Sequence, residues 1–213
     1  GALVDCWRNA DKSTRMPSPC DLEQAGQRIG LLNLELDETE HTVKLAHTHA
    51  VAVDLGGFGK GYAIDKVAEL LQDWDIENAL IYGGRSSIFA ISTAPDEKSW
   101  PVTISHPHNP QQVFAHCHLQ NRALSGSGLQ KGKHIIDPRT GKPLLGHRAA
   151  WAQALDTATS DALSTAFMVM SCDEIAAFCG RHREISALLL LDSAGDRPEG
   201  DRVLRFGKWN SEL

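Results

Sequence analysis

The sequence predicts an α+β or mixed α/β fold in one layered body. Three observations carry that prediction. Short alternating or continuous apolar runs recur along the chain and read as strands. Helical periodicities interrupt them at irregular intervals, around residues 64–74, 159–170 and 173–181. No linker, repeat or low-complexity segment divides the 213 residues, a length suited to about one domain at roughly 150 residues each.

Residues 1–20 contain Pro, Ser and charges and are read as an irregular N-terminal arm, with residues 21–213 as a single domain. Asp21 is placed to cap a short helix through Arg28. Leu32, Leu34 and Leu36 alternate, as do Val43 and Leu45, so each set predicts a half-buried strand. Val51-Ala-Val53 leads into a glycine-rich turn, followed by a helix with Ile64, Val67, Ala68, Leu71 and Trp74 on one face. Strands are predicted at Ala79–Tyr82, Ile88–Ile91, Val102–Ile104 and Val113–Leu119. Leu124-Ser-Gly-Ser-Gly128 is read as a flexible turn, and the segment from His134 as a strand that breaks into a Pro/Gly turn. A strand at Ala150–Leu155 precedes a helix from Thr159-Ser160 to Met170, whose apolar face is Leu163, Ala166, Phe167 and Met170. A helix over 173–181 and strands at 186–191 and 202–206 follow.

Composition excludes several classes. A net charge of −6 with no basic stripe argues against a nucleic-acid surface. No apolar run approaches the length of a membrane-spanning helix. Of the five cysteines, Cys172 and Cys179 are seven apart in a predicted helix, roughly 10 Å along its axis, beyond disulfide reach. Cys6 and Cys20 remain able to bridge in an oxidising compartment, and otherwise the cysteines read as small core residues.

Three places in the chain can carry chemistry. Gly56-Gly57-Phe58-Gly59-Lys60-Gly61 lies between a strand and a helix. Such a turn offers backbone N–H groups, a helix N-terminus and an ammonium to a phosphate, or it is simply a tight turn needing glycine. Asp161 and Thr165 are four apart near a helix start and share a face. A carboxylate and a hydroxyl suit a hard cation such as Mg2+, and capping is the competing explanation. His134 can act as a general base or phosphate contact, or stand as a structural strand residue. Three His-x-His pairs, His47/His49, His106/His108 and His116/His118, could face one way on a strand, but spacing fixes no third ligand, so zinc is not expected there.

Taken together these segments resemble one family. Asp54-Leu-Gly-Gly-Phe-Gly-Lys-Gly-Tyr-Ala-Ile-Asp65 looks like the DLGGxAKGYAVD signature of the ApbE family, the FAD:protein FMN transferases. Ile81-Tyr-Gly-Gly84 resembles the family's N-x-G-G-D strand end, and Leu124-Ser-Gly126 its T-S-G turn. His134-Ile-Ile-Asp-Pro-Arg-Thr-Gly-Lys-Pro143 is similar to HIIDPRTGKP, and Thr159-Ser-Asp-Ala-Leu-Ser-Thr165 to the xADALST helix start. The motifs fall in the family's order across about residues 17–191. Arg85 stands where the family pattern has Asp.

The resemblance implies an α+β, ApbE/T-fold-like layered mixed sheet with helices packed on it. It implies a Mg2+-dependent enzyme that cleaves the FAD pyrophosphate and transfers FMN to a threonine hydroxyl of a target flavoprotein, releasing AMP. The alternatives are a non-catalytic FAD- or nucleotide-binding relative and a FAD pyrophosphatase. Carried over residue by residue, Asp161 and Thr165 would hold Mg2+ with a backbone carbonyl at Gly59, and Asp161 and His134 would be catalytic. Asp54, Gly56, Gly57 and Lys60 would contact the flavin nucleotide, as would Gly84, Ser125, Gly126 and His134. The resemblance also implies a periplasmic, inner-membrane-associated setting through a lipid anchor on the full-length protein, and leaves room for a homodimer. It begins around Trp7, in what corresponds to the middle of the family pattern, so the family's N-terminal segment has no counterpart here. Another stretch of chain, a partner subunit or a shorter pocket is expected to close the flavin site.

Overall fold

The computed structural model describes residues 1–9, 11, 13–45, 53–92, 98–107, 109–131, 135–192, 202–209 and 211–212. In chain order the elements are α1 (Ala2–Cys6), α2 (Pro19–Gly26), β1 (Leu34–Asp37), β2 (Thr42–Leu45), α3 (Gly59–Asp73), β3 (Ala79–Gly83) and β4 (Ser87–Ile91). There follow β5 (Trp100–His106), β6 (Asn109–Leu119), β7 (Arg122–Gly128), β8 (Ile136–Asp137), β9 (Lys142–Pro143) and β10 (His147–Ala154). The last are α4 (Thr157–Val169), α5 (Cys172–Arg181), β11 (Ser186–Leu191), β12 (Arg202–Phe206) and β13 (Ser211–Glu212). They divide into two compact units, Gly1–Asp54 with His134–Pro143, and Leu55–Lys133 with Leu144–Leu213.

The first unit is built from local devices. Residues 1–20 are not irregular throughout, because α1 forms at Ala2–Cys6 and Arg8 bridges Thr14. Ser18, rather than Asp21, caps α2: its hydroxyl accepts from the Asp21 N–H, and Asp21 returns the bond to the Ser18 N–H. The capping box moves the helix start back to Pro19, a residue suited to the first helical position. The β1–β2 hairpin runs in register from Leu34↔Leu45 to Asp37↔Thr42, and Leu31–Asn33 ahead of it forms a 3-10 turn instead of strand. The β8–β9 hairpin turns at Gly141, whose φ of +67° favours glycine and whose carbonyl accepts from Trp7 Nε1 at 2.8 Å. Hydrogen bonding from Arg139 holds the Asp137 carboxyl below its ordinary range. Cys6 and Cys20 do not bridge; all five cysteines are free thiols.

The second unit holds a six-stranded sheet of order β12-β11-β10-β7-β4-β3, antiparallel at every junction. A three-stranded sheet, β13-β6-β5, covers one face. Between them Ala90, Leu124, Ala149, Trp151, Leu188 and Leu190 meet Val102, Ile104, Ala115, Cys117 and Leu119 in the main core. The expected α+β layered architecture is thus present, with helices on the opposite face. Leu124–Gly128 is not a turn. It forms most of β7 in the middle of the sheet, paired on both sides by β4 and β10. Its small residues read as loop chemistry, but here they let other groups approach the strand closely. No helix among the described residues is long and apolar enough to cross a membrane.

Candidate functional site

The site is organised by α4. Its start lies at Thr157, ahead of the Thr159-Ser160 expected from sequence, because two carboxylates satisfy its leading N–H groups. Asp156 is the N-cap and accepts from Thr159 N at 2.7 Å. Asp65 on α3 accepts from Thr157 N at 2.7 Å and Ala158 N at 2.8 Å. The buried residues of α4 are Thr157, Ser160, Asp161, Ser164, Phe167 and Met168. The expected apolar face therefore holds only at Phe167, with Leu163, Ala166 and Met170 half-buried. A mostly polar stripe faces the sheet instead, and it can be buried because its groups are bonded. Ser160 donates to the Ala152 carbonyl at 2.8 Å, and Ser164 to the Asp161 carbonyl at 2.9 Å.

Asp161 sits at the centre of this stripe. Its Oδ1 accepts from Lys60 Nζ at 2.7 Å and from the Ser87 hydroxyl at 3.2 Å. Its Oδ2 accepts from the Gly61 N–H at 3.0 Å. Lys60 Nζ also donates to Ser87 Oγ at 2.5 Å. The carboxylate is 7% exposed and the lysine side chain 38%, so the ion pair runs from half-open surface into the interior. Removing one partner of a buried pair typically costs about 3–5 kcal/mol, since a charge is left without compensation. Gly61 is what brings the two helices together: a Cβ there would lie 2.2 Å from the Thr157 carbonyl oxygen, a backbone atom that cannot step aside.

Thr165 lies one turn further along α4, half-buried, with its hydroxyl 2.9 Å from Ser127 Oγ. Ser127 is equally 2.9 Å from Ser164 Oγ. Ser87 and Ser125 are cross-strand partners on β4 and β7, and Ser127 follows Ser125 on the same face, so three serines line the sheet beneath α4. Ser125 is fully buried, and its hydroxyl has no hydrogen-bond partner among the described residues.

The donor set here is hard oxygen: one carboxylate, the Thr165 hydroxyl and neighbouring serine hydroxyls. That set fits Mg2+, which keeps few protein ligands and fills the rest of its shell with water or phosphate oxygen. Among the described residues no group of three or more His, Cys, Asp or Glu is placed to hold a metal. Gly59 opens α3, and two residues on, the Gly61 N–H donates to Asp161. Gly56 and Gly57 form the turn that precedes α3.

On the other face of the sheet lies a cavity of about 550 Å³. Arg85, Thr103, His106, Gly126, Gln130 and Trp151 are among its walls. Trp151 packs so closely on Gly126 that a Cβ there would lie 2.5 Å from the indole ring. Phe114 stacks on the same indole, ring centres 5.3 Å apart. Gly126 N donates to the Ser86 carbonyl at 2.8 Å. Gly84, with φ +66°, sets the β3–β4 turn that presents Arg85. The volume falls within the range of small-molecule sites.

The structure thus gathers Lys60, Asp161 and Thr165, with Ser125 beside them, around the helix-covered face. It puts Gly126 and the Gly84 turn at the cavity. Asp54 belongs to the first unit, where its carboxylate is 3.4 Å from the Gly1 amino group. His134 lies outside the described residues, as do His47, His49 and His108. His116 and His118 share the exposed face of β6, and His118 Nδ1 is 3.0 Å from Ser99 Oγ. Sequence reasoning missed Ser87, Ser127 and the bonds of Asp65. Read as a strand, Ser125-Gly-Ser127 would have put both hydroxyls on one face. Asp65 closes the glycine-rich signature, but its partners are 92 and 93 residues away.

Known proteins resemble this chain in sequence and in fold. The ApbE family model matches residues 1–189. The FAD:protein FMN transferase of Haemophilus influenzae is 29% identical over 189 residues, covering 82% of this chain and 54% of its own length. That of Chlamydia muridarum is 31% identical, over 68% of this chain and 46% of its own. The ApbE protein of Thermotoga maritima superposes with a TM-score of 0.79 at 25% identity, covering 97% of this chain and 68% of that one. The apo flavinyl transferase ApbE of Pseudomonas stutzeri shares the fold, with a TM-score of 0.77 at 24% identity over 96% of this chain and 64% of that one. The chain spans about half the length of the curated relatives it matches.

Proposed function

This chain belongs to the ApbE family, and from that premise we propose that it serves a Mg2+-dependent FAD:protein FMN transferase reaction. A threonine hydroxyl oxygen of a target protein bonds to the phosphorus on the FMN side of the pyrophosphate. The bond from that phosphorus to the bridging oxygen breaks, and AMP leaves with that oxygen. The threonine proton passes to a base, the role we assign to His134.

The observation that supports this reading most is the convergence of Lys60, Ser87 and Gly61 on the buried Asp161, one turn from Thr165. Asp161 and Thr165 would hold the cation, with Ser127 orienting the Thr165 hydroxyl. When bound, Mg2+ would spread the charge that develops on the transferring phosphoryl group. The Lys60 ammonium and the glycine-rich turn supply positive potential for the phosphates. The aromatic-walled cavity offers room for a nucleotide-sized group.

The test is FMN transfer from FAD to a threonine-bearing acceptor in the presence of Mg2+, read as covalent flavin fluorescence in a denaturing gel and as AMP release. Asp161→Asn should lower both by about 100-fold or more, the scale of removing a preorganised charged group. Equal rates in the two proteins would overturn the assignment. Arg85 favours a second reading, FAD held without turnover, since a guanidinium can clamp a phosphate bidentately. Retained flavin with no AMP release over hours would select it.

A further inference from the structure

The Asp161 carboxylate already has a cation. An ionised carboxylate offers about four lone-pair sites on its two oxygens. Two on Oδ1 are taken by Lys60 Nζ and the Ser87 hydroxyl, and one on Oδ2 by the Gly61 N–H. Gly61 is fixed by the backbone contact between α3 and α4, and Ser87 by its place on β4. Lys60 is different. It reaches the site on a flexible stem whose side chain is more than a third exposed, and it is the charged donor of the three, able to withdraw toward solvent without moving the backbone.

A divalent ion approaching Asp161 and Thr165 therefore meets a like charge seated on the same carboxylate. The two cations repel at short range. The neutral donors do not oppose the ion in this way.

We propose that Lys60 is the resident counter-ion of Asp161 and is exchanged for the divalent cation. Asp161 would hold the metal in place of the ammonium that leaves Oδ1, and the freed ammonium, tethered beside the glycine-rich turn, would be presented to an anionic group such as a pyrophosphate. This rests on the cation site named under the proposed function. Lys60 is then a positioning residue that makes the empty site stable and keeps its metal affinity low until an anion is there to receive the ammonium. No bond is made or broken, and the buried carboxylate is never left without a positive partner.

The test is binding of Mn2+ alone to the full chain without flavin, followed by calorimetry and by loss of the free-ion paramagnetic signal. Lys60→Met removes the competing charge. Its apparent Kd should fall about tenfold or more, the scale of one like-charge interaction beside a carboxylate. Lys60→Arg keeps a cation and should bind as weakly as wild type. Adding inorganic pyrophosphate should tighten Mn2+ binding in wild type by a larger factor than in Lys60→Met, beyond the complexation measured in buffer. Asp161→Asn should abolish the signal, which identifies the ion being counted. Should Lys60→Met not fold, Lys60→Gln drops the charge and keeps a donor, with the same expectation. Equal or weaker Mn2+ binding in the uncharged variant overturns the exchange while leaving the cation site standing. No binding in wild type or in either uncharged variant overturns both.

Discussion

Cys117 shows how one position is fixed by what surrounds it. It lies on β6, fully buried in the core between the two sheets, and burial pushes its thiol from an ordinary 9.0 up to about 12. The folded protein favours the neutral thiol, so this group's contribution to stability is whole below pH 9. It is lost as pH climbs from about 9 toward about 12, because the unfolded chain ionises there and the folded chain does not. Urea unfolding at steps across that interval should show stability falling faster in wild type than in Cys117→Ala, with the two profiles parallel below pH 9. Parallel profiles throughout would mean the thiol is not shielded as described. The same residue shows how far sequence reaches: the cysteines read as small core residues, and that holds for Cys117 and Cys179, whereas Cys6 and Cys172 are half-buried and Cys20 is exposed.

Among the elements, α4 depends most on a distant one. Its first two N–H groups are held by the Asp65 carboxylate on α3, so helix α4 is capped in trans as well as by its own Asp156. Asp65→Ala removes two charge-assisted bonds and should cost about 2–3 kcal/mol, measured as a lower urea midpoint, with Asp65→Asn recovering part of it. A midpoint within error of wild type would show that water replaces the carboxylate freely. Helix α3 was legible from periodicity, yet its buried residues are Gly61, Ile64 and Ala68, with Val67 and Trp74 exposed. The apolar stripe expected there is thus narrower, because the helix spends the rest of that face on close backbone approach and on Asp65. Strand β7 was illegible for a related reason. Serine and glycine carry turn propensity, and only the flanking strands reveal that small residues are wanted at mid-sheet for Trp151 on one side and α4 on the other.

For the molecule as a whole, most strands and helices could be placed from apolar runs and periodicity, but burial follows less closely: β5 and the end of β6 alternate, β11 is buried throughout, and the β1–β2 hairpin, expected to be half-buried, is exposed at Leu36, Val43 and Leu45. What patterning could not give was the partner list. The sheet order β12-β11-β10-β7-β4-β3 joins strands far apart in the chain, and the Lys60–Asp161 pair spans 101 residues. Asp161 was found through its spacing to Thr165 and the family likeness. Its burial was not foreseen, since a carboxylate on a helix reads as solvent-facing until its donors are known. A further consequence follows from the Asp65 bridge. Amide protons in the first turn of a helix lack intrahelical acceptors and normally exchange with solvent early. Those of Thr157 and Ala158 are tied to a side chain of another helix, so they exchange only when α3 and α4 part. In deuterium-exchange measurements they should be as slow as the middle of α4, and fast exchange there would contradict the bridge. Two backbone protons thus keep time for the opening of the seam that holds Asp161, independently of any flavin chemistry.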